Sequence, residues 1–245
     1  MTESSSIARS TDFDGVTAVV TGGAGGIGSG IVAALRTQGA QVAALDLRSN
    51  PEATLSVECD LTDQAAVDAA LAGVVDRLGT PGVLVCASGI CSEYPYKSLK
   101  PAEWQRVVDA SLTATYLVTH AVVPEMAQAG RGAVVTFSSG WATKGYPLGA
   151  HYAAAKAGIE ALTKSLALEF AASGVRVNSV APGPITTPMI LDRPDFDFAG
   201  RAAAIPLGRI GEVSDVVDPV LFLAGDGARY ITGQVLHVNG GLLMP

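Results

Sequence analysis

The sequence predicts an α/β protein, with a parallel β-sheet of about seven strands covered by helices on both faces. Three observations carry that expectation. Short, β-branched apolar runs alternate with longer segments of helical periodicity along nearly the whole chain. The first run, VTAVVTGG at 16–23, is continuously apolar, as a strand buried on both faces must be, and hands over directly to a helical pattern. With 49% hydrophobic residues, 28 glycines and only 6% aromatics in 245 residues, the composition suits a tightly packed α/β chain that forms one domain.

Taken in order, residues 1–13 are rich in Ser and Thr and read as a flexible tail, leaving 14–245 as the folded domain. After the first strand, IGSGIVAALRTQGA places Ile27, Ile31 and Leu35 on one helical face and stops at Gly39. QVAALD (41–46) is the second strand. LRSNPEA is too short for a full helix and contains Pro51, so a loop is expected before the third strand in TLSVECD (54–60). A helix over about 63–78, the strand GVLVCAS (82–88), a long helix over about 101–129 and the strand GAVVTFSS (132–139) follow. A helix over 151–173, the strand VRVNSVAPG (175–183), a short helix over about 213–224 and the strand QVLHVNGG (234–241) complete the pattern. Residues 184–210 hold four prolines (Pro184, Pro188, Pro194, Pro206) and fit it least, so 189–210 is expected to be an irregular excursion beside the substrate.

Several function classes are disfavoured. A formal charge of −7 with no basic stripe argues against nucleic acid as a partner. Cys59, Cys86 and Cys91 have no metal-like spacing, and no His/Cys/carboxylate cluster calls for a metal. The polar start lacks the apolar core of a signal peptide, and no run approaches the roughly eighteen apolar residues that span a membrane. A reduced, cytoplasmic protein is expected.

TGGAGGIG at 21–28 lies where the first strand meets the first helix. A turn there lets backbone approach a pyrophosphate, whose charge is received by the N–H groups of the helix start, and side chains would block that approach. Two registers fit: Gly23, Gly25 and Gly28, or Thr21, Gly22, Gly26 and Gly28. Asp46 ends the second strand, 18 residues after Gly28, where a carboxylate accepts hydrogen bonds from ribose hydroxyls. The same charge repels a 2′-phosphate, so NAD is favoured over NADP, a preference that nearby Arg48 softens.

HYAAAK (151–156) sets Tyr152 and Lys156 one helical turn apart. With the second glycine register and Asp46, this Y-x-x-x-K pair resembles the short-chain dehydrogenase/reductase family from about residue 15 to the C-terminus. The resemblance implies a doubly wound Rossmann-type fold, a catalytic Ser139 thirteen positions before Tyr152, and a homotetramer. It implies cofactor contacts from Gly22, Gly26, Ile27, Gly28, Asp46, Asp60 and Leu61 (in CDLTD), from Ala87 and Gly89, from Tyr152 and Lys156, and from Pro182, Ile185 and Thr187 (in NSVAPGPITTPM). Two departures stand out. CASG (86–89) replaces the family's usual N-N-A-G, and Ser111 falls where the family places a catalytic asparagine that holds a water on the proton path. A serine hydroxyl also donates and accepts, so the relay can be rewired through a further water.

Hydride transfer between a secondary alcohol and a nicotinamide needs a proton to leave or reach the substrate oxygen. Tyrosine, with a pKa of about 10, is a weak base at neutral pH. An ammonium roughly 4 Å away, at an effective dielectric near 20, favours the phenolate by up to about 4 kcal/mol. Tyr152 is therefore expected to be the general base for oxidation and the general acid for reduction, with Lys156 tuning it and Ser139 orienting the substrate oxygen. His151 points elsewhere on its helix, and His120 and His237 read as packing or surface residues. Trp141 and Tyr146 are candidates for the pocket wall. In the excursion, Asp192, Asp195 and Asp197 do not invite an anion and Phe196 and Phe198 suit an apolar body, so a neutral or carrier-bound ketone or alcohol is expected. The competing readings are an NADP-linked 3-oxoacyl-carrier reductase and a cofactor-binding protein that has lost turnover.

Overall fold

The computed structural model describes residues 13–193 and 196–245. Seven parallel strands run in the order β3-β2-β1-β4-β5-β6-β7: β1 Thr17–Thr21, β2 Gln41–Asp46, β3 Leu55–Glu58, β4 Val83–Cys86, β5 Gly132–Phe137, β6 Val175–Pro182 and β7 Val235–Val238. The helices are α1 Gly26–Thr37, α2 Gln64–Leu78, α3 Pro101–Val108, α4 Ala114–Gln128, α5 Gly140–Lys144, α6 Ala150–Phe170, α7 Pro188–Leu191, α8 Phe198–Ala204 and α9 Val213–Ala224.

Alternating side chains of each strand feed two cores, because successive Cβ atoms point to opposite faces. Val20, Ala44, Val85, Val135 and Val180 pack with Ile31, Val32 and Leu35 of α1 and Val216, Val217 and Val220 of α9. Val19, Ala43, Leu84, Val134 and Val177 pack instead with Val67 and Leu71 of α2 and Leu117, Val118 and Val122 of α4. Both faces being covered, the strands lack polar alternation, which is why they read as apolar runs. Strand order reverses between β1 and β4, so a crevice opens beyond the C-terminal ends of those strands.

Three features depart from expectation. Phe13, assigned to the tail, is buried, donates its N–H to the Gln38 carbonyl at 3.0 Å and joins the α1–α9 core. A single aromatic outweighs the polar composition of the twelve residues before it, which lie outside the described residues. The helix expected over 101–129 is α3 and α4 joined through one π-helical turn, Asp109–Thr113, that carries Ser111. An inserted residue of this kind does not break hydrophobic periodicity enough to be seen in the chain. The excursion is also less irregular than its prolines imply: Pro188 opens α7, and Asp197 caps α8 by accepting from the Gly200 N–H at 2.9 Å. Pro194 and Asp195 lie outside the described residues. Among those described, no helix is long and apolar enough to cross a membrane.

Candidate active site

The glycine-rich turn is shaped by close approach. A Cβ on Gly28 would stand 2.0 Å from the Gly22 carbonyl oxygen, one on Gly22 would stand 2.8 Å from the Ser88 backbone, and one on Gly26 would stand 2.9 Å from Thr187. Gly22 also has φ of +65°, which favours glycine. Gly25, needed only in the alternative register, meets nothing nearer than 3.2 Å. The Thr21-Gly22-Gly26-Gly28 register therefore describes the turn. No side chain caps the start of α1 and its first turn holds no acid, so its N–H groups are free for a phosphate. The residues fit a dinucleotide.

Asp46 sits at the end of β2 beside that turn. Its carboxylate accepts from the Ala24 amide at 3.1 Å and the Arg48 amide at 3.1 Å, and the exposed Arg48 guanidinium lies 4.0 Å away. The turn has a second brace absent from the sequence reading: buried Asn50 donates from Nδ2 to the Gly23 carbonyl at 2.7 Å. Its partner is 27 positions away, which hides the role in the chain. Asp60 is exposed after β3 and Leu61 is buried beside it. The Thr62 hydroxyl and amide hold the Asp60 carboxyl below the usual range.

Ser139 follows β5 and caps α5, its Oγ accepting from the Trp141 amide at 3.3 Å. Tyr152 and Lys156 project from the first turns of α6 into the same cleft. Lys156 Nζ lies 5.7 Å from the centre of the Tyr152 ring and donates to the Phe137 carbonyl at 2.7 Å. A Cβ on Gly89 would stand 3.4 Å from both Lys156 Nζ and Ser111 Oγ, so the π turn brings Ser111 beside the lysine. Ser111 Oγ is wholly buried and has no hydrogen-bond partner among the described residues. A buried hydroxyl left unpaired costs about 1–3 kcal/mol, so its site is suited to a further polar guest.

The protonation energetics differ from expectation. Burial pushes the Tyr152 phenol above its ordinary value, and the nearby Cys91 thiol adds to this. The hydrogen bond with Ser139 works in the opposite direction and is the smaller effect. Burial pushes the Lys156 ammonium down to about 8, against weaker opposing effects of Cys91 and Cys86. Desolvation thus outweighs the attraction between the pair in the free protein. The proton-donating form of Tyr152 is the resting form. The folded protein releases the Lys156 proton near pH 8, whereas the unfolded chain holds it to about 10.5. Stability contributed by this group therefore rises with pH across that interval. In ¹³C-labelled protein, one lysine resonance should titrate near pH 8 and be missing in Lys156→Arg. Titration of every lysine above 10 would contradict the burial argument.

These residues line a cleft of about 530 Å³ together with Ile27, Ala87, Pro182, Ile185 and Thr187. Gly22, Gly26, Gly28, Asp46, Asp60, Leu61 and Ser111 lie outside its wall, the turn and the strand-end acids being displaced towards β2 and β3. Trp141 and Tyr146 do form wall, stacked with ring centres 4.5 Å apart. His151 is fully buried, faces Ser92 Oγ at 3.0 Å and does not line the cleft. Absent from the sequence reading are Glu93, Arg193 and Arg201: Glu93 accepts from the Tyr146 hydroxyl and pairs with Arg193 at 2.6 Å. Only the fold brings positions 93, 146 and 193 together.

A family profile described as enoyl-(acyl carrier protein) reductase matches residues 22–243. The 3-oxoacyl-(acyl-carrier-protein) reductase FabG of Escherichia coli (strain K12) is 36% identical over 242 residues, covering 95% of this chain and 99% of that protein. The cis-4-hydroxycyclohexanecarboxylate dehydrogenase of Sinomonas cyclohexanicum is 37% identical, covering 91% and 95%. A solved structure from Brucella melitensis 16M, described as ribose-5-phosphate isomerase, superposes with a TM-score of 0.90 at 34% identity, covering 96% of this chain and 95% of that one. The glycine turn, the strand order and these likenesses converge: the chain belongs to the short-chain dehydrogenase/reductase family of NAD(P)-dependent oxidoreductases acting on CH–OH and ketone groups.

Proposed function

We propose that the protein interconverts a secondary alcohol and a ketone with NAD, using Tyr152 as general acid/base. The observation that carries this reading is the meeting of Ser139, Tyr152 and Lys156 in one cleft beside a turn with no room for a side chain at Gly22, Gly26 or Gly28. The bound nicotinamide supplies or accepts the hydride. Ser139, whose hydroxyl bonds Tyr152, orients the substrate oxygen and stabilises charge developing there. Tyr152 donates its phenolic proton to that oxygen in reduction and takes it back in oxidation. Lys156, held by the Phe137 carbonyl, keeps a cation beside the phenol and is placed to bond the nicotinamide ribose. Gly22, Gly26, Ile27, Gly28, Asp46, Asp60, Leu61, Ala87, Gly89, Pro182, Ile185 and Thr187 are assigned to the rest of the cofactor.

NAD over NADP rests on Asp46, whose carboxylate stands beside the Ala24 amide in the turn. Asp46→Ala should raise kcat/KM with NADP relative to NAD by roughly tenfold or more, the loss of one close charge repulsion. Unchanged selectivity in steady-state kinetics removes that role. The likeness to FabG favours a second reading, an NADP-linked 3-oxoacyl-carrier reductase, which the same measurement on the unaltered protein separates from the first. A homotetramer is proposed on the family resemblance, and a cytoplasmic location on the cysteine usage and polar start of the chain. The overall reading is tested by following absorbance at 340 nm with secondary alcohols and either nicotinamide. Silence across a broad panel would favour a non-catalytic binding protein.

Ser111 is assigned to a water-mediated proton path from Lys156, its side chain being shorter than asparagine and the gap being filled by a further water. Ser111→Ala removes a buried, unpartnered hydroxyl, so melting temperature should hold or rise while turnover falls by about tenfold. Unchanged turnover would leave Ser111 as a packing residue.

A further inference from the structure

The chain carries a net charge of −7, yet among the described residues the charged side chains lining the cleft are Lys144, Lys156, Arg193 and Arg201 against Glu93. Glu93 is already committed to Arg193 and to the Tyr146 hydroxyl. Lys156 is committed to the Phe137 carbonyl. Arg201 and Lys144 have no carboxylate within 4.0 Å among the described residues. Arg201 is half-buried, projecting from α8 with its guanidinium 6.0 Å from the centre of the Phe196 ring, and Arg193 approaches the same ring at 5.8 Å. The two described acids of this segment do not offset them. Asp197 is turned back to cap α8 and Asp192 is exposed, and neither lines the cleft. Asp195 lies outside the described residues. The neutral substrate expected from counting these acids therefore does not match the wall they leave behind.

Resting on the oxidoreductase reading, we propose that the substrate is an organic anion: a hydroxy or oxo acid whose carboxylate, remote from the reacting carbon, is received by Arg201 with Lys144 at the rim. Trp141, Tyr146, Met189, Phe196 and Leu243 supply apolar wall for the body between the two ends, suited to a compact alicyclic or short aliphatic frame. A carboxylate in the planar fork of a guanidinium makes short charge-assisted hydrogen bonds. A neutral thioester group itself offers that cation no anion. The negative surface would slow such an anion at long range, but opposite charge in a walled cleft focuses the local field.

The test is binding of cyclohexanecarboxylate and of cyclohexanecarboxamide to the NADH-saturated protein, measured by titration calorimetry. The acid should bind about 10- to 100-fold more tightly than the amide, the range of a hydrogen bond to a charged group. Arg201→Gln should remove most of that difference and leave amide and NADH affinity unchanged, Arg201→Lys should restore part of it, and Lys144→Gln should reduce it less. Equal binding of acid and amide, binding of neither, or an equal loss of both in Arg201→Gln overturns the proposal. So does a preference for acyl groups on an acidic carrier protein that Arg201→Gln does not alter. Selective acid binding by a protein that oxidises no secondary alcohol of a broad panel, hydroxycyclohexanecarboxylates included, with either nicotinamide would instead leave the anion site standing and sink the oxidoreductase reading.

Discussion

Tyr152→Phe is expected to lower kcat for ketone reduction by about 10²- to 10⁴-fold, the span of a positioned general acid, while NADH affinity stays little changed. The substitution keeps the ring and removes the hydroxyl that hydrogen-bonds Ser139. Lys156 keeps its bond to the Phe137 carbonyl, so the cofactor side of the cleft remains formed. Because burial already holds the phenol in its protonated form, the loss should appear in reduction even at neutral pH, where no deprotonation step is needed. Single-turnover decay of NADH absorbance, with NADH binding measured separately by fluorescence, checks both halves. A variant that binds NADH normally and retains more than a tenth of wild-type turnover would remove Tyr152 from the proton transfer.

Gly28→Ala should have the other large effect. The added methyl carbon would stand 2.0 Å from the Gly22 carbonyl oxygen, a backbone atom that cannot rotate away. The turn must then open, which moves the amides at the start of α1 to which the phosphate is assigned. Overpacking of this kind costs about 1–3 kcal/mol. For a chain of this size that lowers Tm by roughly 2–10 °C. Affinity for NADH should fall by more than about tenfold, since the proposed phosphate contacts depend on the turn staying closed. Gly73→Ala is the control: it lies within α2, nothing stands within 4 Å of the new carbon, and alanine is the better helix former. It should raise stability by about 0.4–1 kcal/mol and leave cofactor affinity alone. Thermal melts with and without NADH separate the two variants, and equal melting temperatures would contradict the packing argument.

What was legible in the chain was whatever depends on near neighbours in sequence. The turn at 21–28, the pair Tyr152 and Lys156, and the strands of the buried sheet are written in spacing and in apolar runs. They reach the structure with little alteration. What was not legible depends on distance along the chain or on burial. The π turn under Ser111 adds one residue to an otherwise regular helix, and hydrophobic periodicity does not register it. Glu93, Tyr146, Arg193 and Arg201 lie on four separate segments, so their convergence needs the whole fold. The tuning of Tyr152 was argued from its lysine neighbour alone, but the phenol is buried, and desolvation reverses the direction of the shift in the free protein. Of Asp192, Asp195 and Asp197, Asp197 caps its own helix, Asp192 is exposed, neither of these two lines the cleft, and Asp195 lies outside the described residues.

The Brucella melitensis structure described as an isomerase shows that the shared fold does not by itself assign a reaction. An isomerase exchanges protons with solvent, whereas an alcohol–ketone oxidoreductase moves a hydride directly between carbons. The most direct measurement is therefore the fate of label from NADH carrying deuterium at both C4 positions, incubated with a ketone substrate in ordinary water. The account predicts one deuterium on the carbinol carbon of the alcohol product per NADH consumed, and loss of that transfer in Tyr152→Phe. A product whose new hydrogen comes from solvent, or a substrate converted without consumption of NADH, would contradict it.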